Sequence, residues 1–354
     1  MSNPLDQFSD ARDIPRAKRS QSKKEYTRRQ AASGGSSSNG SSKKLEARSW
    51  IVVTPPKGAK RGIVVAVHKN ILEVKLDTMI VEATLPHTIS VEGDFVVGDA
   101  VWIDQKDLAH ASVVGREERK SFIGRARGDR TRLVSSKLHV LAANIDVGII
   151  TVALKNPELH AKSIDRFLVL LQEGNVTPVI CLTKCDLSTE RPAILDLYRA
   201  AGITVIETAA KQNRGVEELK KILRDKVAVF VGQSGVGKSS LVNAIDPELQ
   251  LKTNTVSAKT GEGRHTTTNS NLYQWAESSF IIDTPGIRSL GVELIPREEL
   301  RFLFNEFTDL AQKCKFHDCL HLHEPGCAVK SSVEGNEGIV DPRRYASYVR
   351  MMDE

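Results

Sequence analysis

Three changes of pattern along the chain predict three successive folds: a small all-β barrel, an α/β domain with a mostly parallel sheet, and a mainly α domain that holds a metal. The first pattern is a set of short, closely spaced apolar runs broken by turn residues. The second is an alternation of apolar runs with helical periodicity, and the third is a cluster of cysteines and histidines near the C-terminus. A length of 354 residues suits two or three domains. Hydrophobic residues at 40% and charged residues at 27% supply enough apolar material for a core. No stretch approaches the ~18 continuous apolar residues of a membrane span. The first twelve residues are polar and charged, which argues against a secretory signal and makes the cytoplasm the expected location, with no membrane association.

Residues 1–47 are poor in apolar side chains and include the Gly/Ser-rich run 33–42, so a disordered basic tail and linker is expected there. Much of the net charge of +6 sits in this segment, on Arg16, Lys18, Arg19, Lys23, Lys24, Arg28, Arg29, Lys43 and Lys44. Such charge favours a polyanion such as RNA through counterion release; a solubilising tail is the alternative. Over 48–116, strands are expected at Trp50–Val53, Gly62–Val67, Ile71–Val74, Ile89–Val91 and Ala100–Ile103. About five strands in this length suit an OB-type barrel, a common oligonucleotide-binding fold; a different small barrel is the alternative, and periodicity does not separate the two. The basic stretch Arg116–Arg132 is expected to link barrel and next domain, either solvated or against RNA phosphates.

Residues 117–290 carry the α/β pattern. Strand runs at Val147–Val152, Val179–Leu182, Ile203–Ile206, Val227–Val231 and Phe280–Ile282 are interspersed with helical patterns at Lys162–Gln172, Arg191–Ala200 and Val216–Lys226. This implies a parallel sheet with helices on both faces. The segment Gly232-Gln233-Ser234-Gly235-Val236-Gly237-Lys238-Ser239-Ser240 matches the phosphate-binding loop G-x-x-x-x-G-K-[ST], entered by a strand and left by a helix. Its glycines let backbone N–H groups wrap phosphate oxygens, and the helix N-terminus adds a favourable dipole. Lys238 is the expected partner of the β- and γ-phosphates, and Ser239 of Mg²⁺. Asp283-Thr284-Pro285-Gly286 follows a strand, so Asp283 is expected to reach Mg²⁺ and the Gly286 N–H the γ-phosphate. In Arg264-His265-Thr266-Thr267-Thr268, Thr267 is the candidate hydroxyl that joins Mg²⁺ only when γ-phosphate is present.

Thr183-Lys184-Cys185-Asp186 fits the guanine-reading pattern [NT]-K-x-D. The Asp186 carboxylate can accept from N1–H and the exocyclic amine of guanine, a pair that adenine lacks. Thr183 replaces the commoner Asn, which is expected to weaken one bracing hydrogen bond. Thr208-Ala209-Ala210-Lys211, at the next strand end, is expected to give a backbone N–H to the guanine oxygen, with Thr208 and Ala209 as site residues. These guanine motifs precede the phosphate-binding loop, the reverse of the usual order. Since all still end parallel strands, one sheet edge can collect them, as in a circularly permuted domain.

Residues 291–354 show helical patterns at Arg297–Lys313 and Pro342–Met352 around Cys314-x4-Cys319-x-His321-x5-Cys327. Three thiolates and one imidazole suit a closed structural zinc site, with His317 and His323 as alternative imidazoles.

Together these motifs resemble one family, the circularly permuted ribosome small-subunit-dependent GTPase A. The carriers are Thr183-Lys184-Cys185-Asp186, Gly232–Ser240, Gly263–Thr268, Asp283–Gly286, and Cys314, Cys319, His321 and Cys327 with Glu324-Pro325-Gly326 before the last. The resemblance runs from about Trp50 to the C-terminus. It implies a barrel, a permuted GTPase domain and a zinc domain, with Mg²⁺ accompanying GTP. It also implies binding to the 30S subunit and its 16S rRNA late in maturation, and hydrolysis of GTP to GDP stimulated by that subunit and coupled to release. A monomer is expected. Ile287 stands where many GTPases place a water-orienting Gln, and His265 is the expected substitute. The alternative reading is a nucleotide-gated RNA-binding module with little turnover.

Overall fold

The computed structural model describes residues 51, 54–68, 71–85, 95–105, 111–127, 137–249, 270–283, 295–335 and 339–354, with backbone alone at 105, 125–127, 137 and 138. They form two units. The larger comprises 49–296 and 343–354, and the smaller contains 297–342. Among the described residues no helix is long and apolar enough to cross a membrane.

The larger unit begins with a barrel of β1 (Lys60–Val67), β2 (Ile71–Leu76), β3 (Met79–Thr84), β4 (Ala100–Gln105) and β5 (Ala111–Arg116). β1–β2, β2–β3, β4–β5 and β1–β4 pair antiparallel and β3–β5 parallel, so the ring closes and no edge is left open. Burial alternates along β2 and β5, as a half-buried strand requires, and sends Leu72, Val74, Leu76, Val113 and their neighbours into one core. Two strands, β3 and β5, fall outside the expected set. The turn before β3 is Asp77-Thr78, and Asp77 takes a left-handed φ of 41° without a glycine, so it carries a weak sequence signal. The expected strand at Ile89–Val91 lies outside the described residues. So do the tail 1–47 and most of Trp50–Val53, of which Ile51 bridges Arg116.

The expected linker at Arg116–Arg132 is corrected. Phe122–Arg127 is a strand, β6, paired antiparallel with β7 (Lys137–Ala143). Its alternating basic residues mask a period of two, with Ile123 buried in the core. Arg119 is not solvated chain either. It meets the fully buried Asp99 with two bonds of 2.7 and 2.8 Å, which fastens the stretch to the base of the barrel.

The α/β sheet runs β10 (Thr204–Glu207), β9 (Thr177–Thr183), β8 (Val147–Ala153), β11 (Val227–Val231), β13 (Ser279–Asp283), β12 (Asn271–Ala276). All neighbours pair parallel except β12–β13, and the bridge Ala66–Asn271 joins this sheet to the barrel. Helices α1 (Ala161–Glu173) and α2 (Ile194–Ala200) cover one face through Ile164, Leu168, Leu195 and Tyr198. Helices α3 (Val216–Leu223) and α4 (Lys238–Ile245) cover the other through Leu219, Leu223, Leu241 and Ile245. β8 is buried at every residue because both of its faces are covered.

In the smaller unit the expected helix Arg297–Lys313 is broken. It consists of α5 (Arg297–Leu300), two 3-10 turns and α6 (Thr308–Ala311), with Phe304 extended at φ −107° and ψ 98°. The break buries Phe304 and Phe307 together, their rings stacked at 5.1 Å. Helix α7 (Ala328–Glu334) follows the Cys/His cluster. The last helix, α8 (Pro342–Asp353), packs in the larger unit, where Arg344 pairs with Asp165 of α1.

Candidate functional site

The C-terminal ends of β11, β9, β10 and β13 carry the phosphate loop, Thr183–Asp186, Thr208–Lys211 and Asp283 along one edge of the parallel sheet. β8 separates β9 from β11, so segments about fifty residues apart in sequence become adjacent loops. Within the phosphate loop Gly232, Gly235 and Gly237 have φ of 143°, 76° and 99°, a region closed to most side chains. Gly237 caps α4, so the helix N-terminus opens onto the loop. Lys238 Nζ donates to the Gly232 and Gln233 carbonyls, both at 2.7 Å, and so lies across the loop's mouth. Ser239 is half-buried, Ser234 and Ser240 are exposed, and Gln233 Nε2 donates to Ser163 of α1 at 3.0 Å.

The Thr183–Asp186 loop is tied to the Gly-rich loop 232–240. The buried Thr183 hydroxyl lies 2.5 Å from the Val236 carbonyl and 3.2 Å from that of Val152. The Thr183 side chain thus makes a bracing contact between the two loops. Lys184 Nζ donates to the Gly235 carbonyl at 2.8 Å and to that of Asn156. Burial lowers the Lys184 pKa, and nearby Lys211 lowers it further against the pull of Asp186. Asp186 is exposed, with its carboxylate accessible to a ligand. Cys185 is buried; its N–H donates to the Thr208 carbonyl, and its carbonyl accepts from Arg214 at 2.7 Å.

At the next strand end Thr208 is fully buried and donates its N–H to Leu182. The Ala209 N–H is committed to the Arg214 carbonyl at 2.9 Å. The next N–H, that of Ala210, opens a 3-10 turn, where a first-turn N–H has no acceptor within the helix.

Asp283 ends β13 with its side chain accessible, yet surrounding protein pushes its pKa up, opposed by Lys238. A cation at this point would relieve that cost. His265, Thr267 and Gly286 lie outside the described residues.

In the smaller unit Cys314, Cys319, His321 and Cys327 place their ligand atoms within 4.8 Å of one another. The imidazole is His321, not His317 or His323. Its Nδ1 lies 3.6 Å from Cys314 Sγ and 3.4 Å from Cys327 Sγ. Zinc bonds of about 2.3 Å to sulfur and about 2.0 Å to nitrogen, at a tetrahedral angle, separate such atoms by about 3.5 Å. Burial pushes Cys319 up to about 12 and raises Cys327, so thiolates here need a cation. Burial, with Arg301 nearby, lowers His321 to about 4 and keeps it in the neutral, ligating form. The donor set fits a metal.

Sequence reasoning missed Asn156, Ser163 and Arg214, which brace the loops through contacts between distant segments with no local pattern. Glu324 was noted only as part of a motif. Its carboxylate accepts N–H groups from Leu320 (2.7 Å), Leu322 (2.9 Å) and His323 (3.0 Å). Burial alone would raise it, but these bonds hold it at about 2.

A family model described as RsgA GTPase matches residues 116–293. The small ribosomal subunit biogenesis GTPase RsgA of Chlorobaculum parvum is 38% identical over 279 residues, 76% of this chain and 89% of that protein. Its namesake from Bacillus velezensis is 43% identical over 218 residues, 60% of this chain and 73% of that protein. The crystal structure of YjeQ from Thermotoga maritima matches with a TM-score of 0.66 at 32% identity, over 83% of this chain and 97% of the other. That of YloQ, a circularly permuted GTPase, matches with 0.65 at 27% identity, over 84% and 95%.

Proposed function

Because the chain belongs to the RsgA GTPase family, we propose that it binds the 30S subunit and its 16S rRNA late in maturation, and hydrolyses GTP to GDP and phosphate there. Hydrolysis is stimulated by the subunit and coupled to release. The protein acts as a cytoplasmic monomer, with the basic tail 1–47 and the barrel region 48–116 supplying RNA affinity. The observation that carries the nucleotide assignment is Asp186: an accessible carboxylate on a loop that Thr183 and Lys184 tie to the phosphate loop.

In this reading Asp186 accepts from the guanine N1–H and amine, and the Lys184 stem covers the base. The first-turn N–H of Ala210, rather than that of Ala209, meets the guanine oxygen. The N–H groups of Gly232–Ser240 cradle the phosphates, and Lys238 leaves the Gly232 and Gln233 carbonyls to pair with the β- and γ-phosphates. Ser239, Thr267 and Asp283 hold Mg²⁺, which supplies charge neutralisation at the transferring phosphoryl group. The Gly286 N–H meets the γ-phosphate and His265 orients the attacking water, since Ile287 cannot. Cys314, Cys319, His321 and Cys327 hold one Zn²⁺ as a structural staple.

The decisive experiment is phosphate release under multiple turnover, titrated with purified 30S subunits. Turnover is slow alone and rises to saturation with 30S; a rate indifferent to the subunit sinks the reading. Asp186→Asn lowers the preference for GTP over ATP by roughly a hundredfold, read from competition binding.

A further inference from the structure

Among the described residues of the smaller unit, Arg301 is the one buried cation, with 5% of its surface exposed. Its Nη1 donates to the main-chain carbonyls of Cys319 (2.8 Å) and His317 (3.2 Å), and its Nε to that of Glu298 (3.2 Å). Its guanidinium lies over the Phe302 ring, 4.6 Å from the centroid. Cys319 belongs to the metal cluster, and His317 sits in the loop between Cys314 and Cys319.

A divalent cation with three thiolates and a neutral imidazole leaves one net negative charge. Glu324 brings a carboxylate against the same loop. Burying negative charge is costly without a cation nearby. A guanidinium meets that need, because it stays charged at every relevant pH, is weakly hydrated and offers several donors in a rigid fork.

We propose that Arg301 is a positioning residue of the metal centre: it holds the Cys314–His321 loop by its carbonyls and offsets the net negative charge of the loaded site. This rests on the reading of the cluster as a zinc site. In it, two outer groups divide the backbone of the ligand loop. Glu324 gathers N–H groups, and Arg301 gathers carbonyls and adds charge.

The test uses the full-length zinc-loaded protein and follows zinc transfer to a competing colorimetric chelator. Arg301→Met weakens zinc affinity about 10–100-fold, the range found for outer partners of metal ligands. Arg301→Lys, which keeps the charge and loses the fork, falls between the variant and the natural protein. The cobalt-substituted Arg301→Met protein shows an altered ligand-field spectrum. Zinc affinities within about twofold of the natural protein in both variants, with only Tm lowered, overturn the proposal. If Arg301→Met does not fold, Arg301→Lys decides it: an unchanged affinity overturns the proposal and a weakened one supports it. A natural protein that releases no zinc, and does not differ from Cys319→Ser, overturns the zinc reading itself and is distinguishable from failure at Arg301.

Discussion

The Thr183 hydroxyl joins two loops, because the chain brings the Val236 carbonyl within 2.5 Å. Thr183→Val keeps the shape and removes the donor. It should weaken GDP binding about tenfold, equivalent to about 1.4 kcal/mol, in a fluorescent-nucleotide titration; unchanged affinity would show the brace to be idle. Asp283 carries the opposite tension. Its pKa is raised in the folded protein, so the folded state holds the proton to higher pH than the unfolded state. Its contribution therefore falls as pH rises from the ordinary carboxylate value through the raised one. Asp283→Asn should leave the nucleotide-free protein at least as stable at neutral pH while abolishing Mg²⁺-dependent turnover. A lower melting temperature without nucleotide would contradict this account.

At the scale of elements, α8 is held by charge buried in an apolar contact. Arg344 and Asp165 are 5% and 3% exposed, Asp165 also accepts from the Tyr198 hydroxyl at 2.9 Å, and Arg166 pairs with Glu354 at 2.5 Å. Removing one member of a buried pair strands the other, so Asp165→Ala should destabilise the larger unit by roughly 3–5 kcal/mol. Asp165→Leu combined with Arg344→Met should recover most of the loss in urea unfolding; strictly additive losses would argue against coupling. α1 also starts beside the phosphate loop, through Ser163 and Gln233. Helical periodicity sufficed to locate α1 and α8, since Ile164, Phe167, Leu168 and Leu171 repeat along one side. The same reasoning failed at Arg297–Lys313, where Leu300, Leu303, Phe307 and Leu310 also keep helical spacing. There Phe304 turns extended, at φ −107° and ψ 98°, which the spacing of apolar residues does not show.

For the molecule as a whole, the smaller unit is an insertion between β13 and α8, both of which belong to the larger one. Its described apolar core is small, with Leu303, Phe304, Phe307, Leu310 and Val329 among its buried residues, so the proposed zinc staple is expected to carry much of its stability. Stripping zinc with a strong chelator should speed hydrogen exchange through 297–342 and leave β8, β9 and β11 protected. Equal loss of protection in both units would show that they unfold as one.

The sequence by itself determined the order of folds, the Gly-rich loop between a strand and a helix, the strand-end place of Thr183–Asp186, and the three thiols of the Cys/His cluster. Each of these is a local pattern whose spacing is set by backbone geometry: glycines where φ must be positive, a carboxylate at a strand end, thiols close enough to share one ion. Only the tertiary structure decided which imidazole sits among the thiols, that the Ala209 N–H is committed to Arg214, and that Thr183 reaches Val236 across β8. It alone showed that a run read as a basic linker is a strand, and that Arg119, Arg301 and Arg344 are spent inside the protein. The reason is common to all of these. A side chain's partner across tens of residues leaves no trace in spacing, and an arginine's charge reads the same whether it faces water or a buried carboxylate.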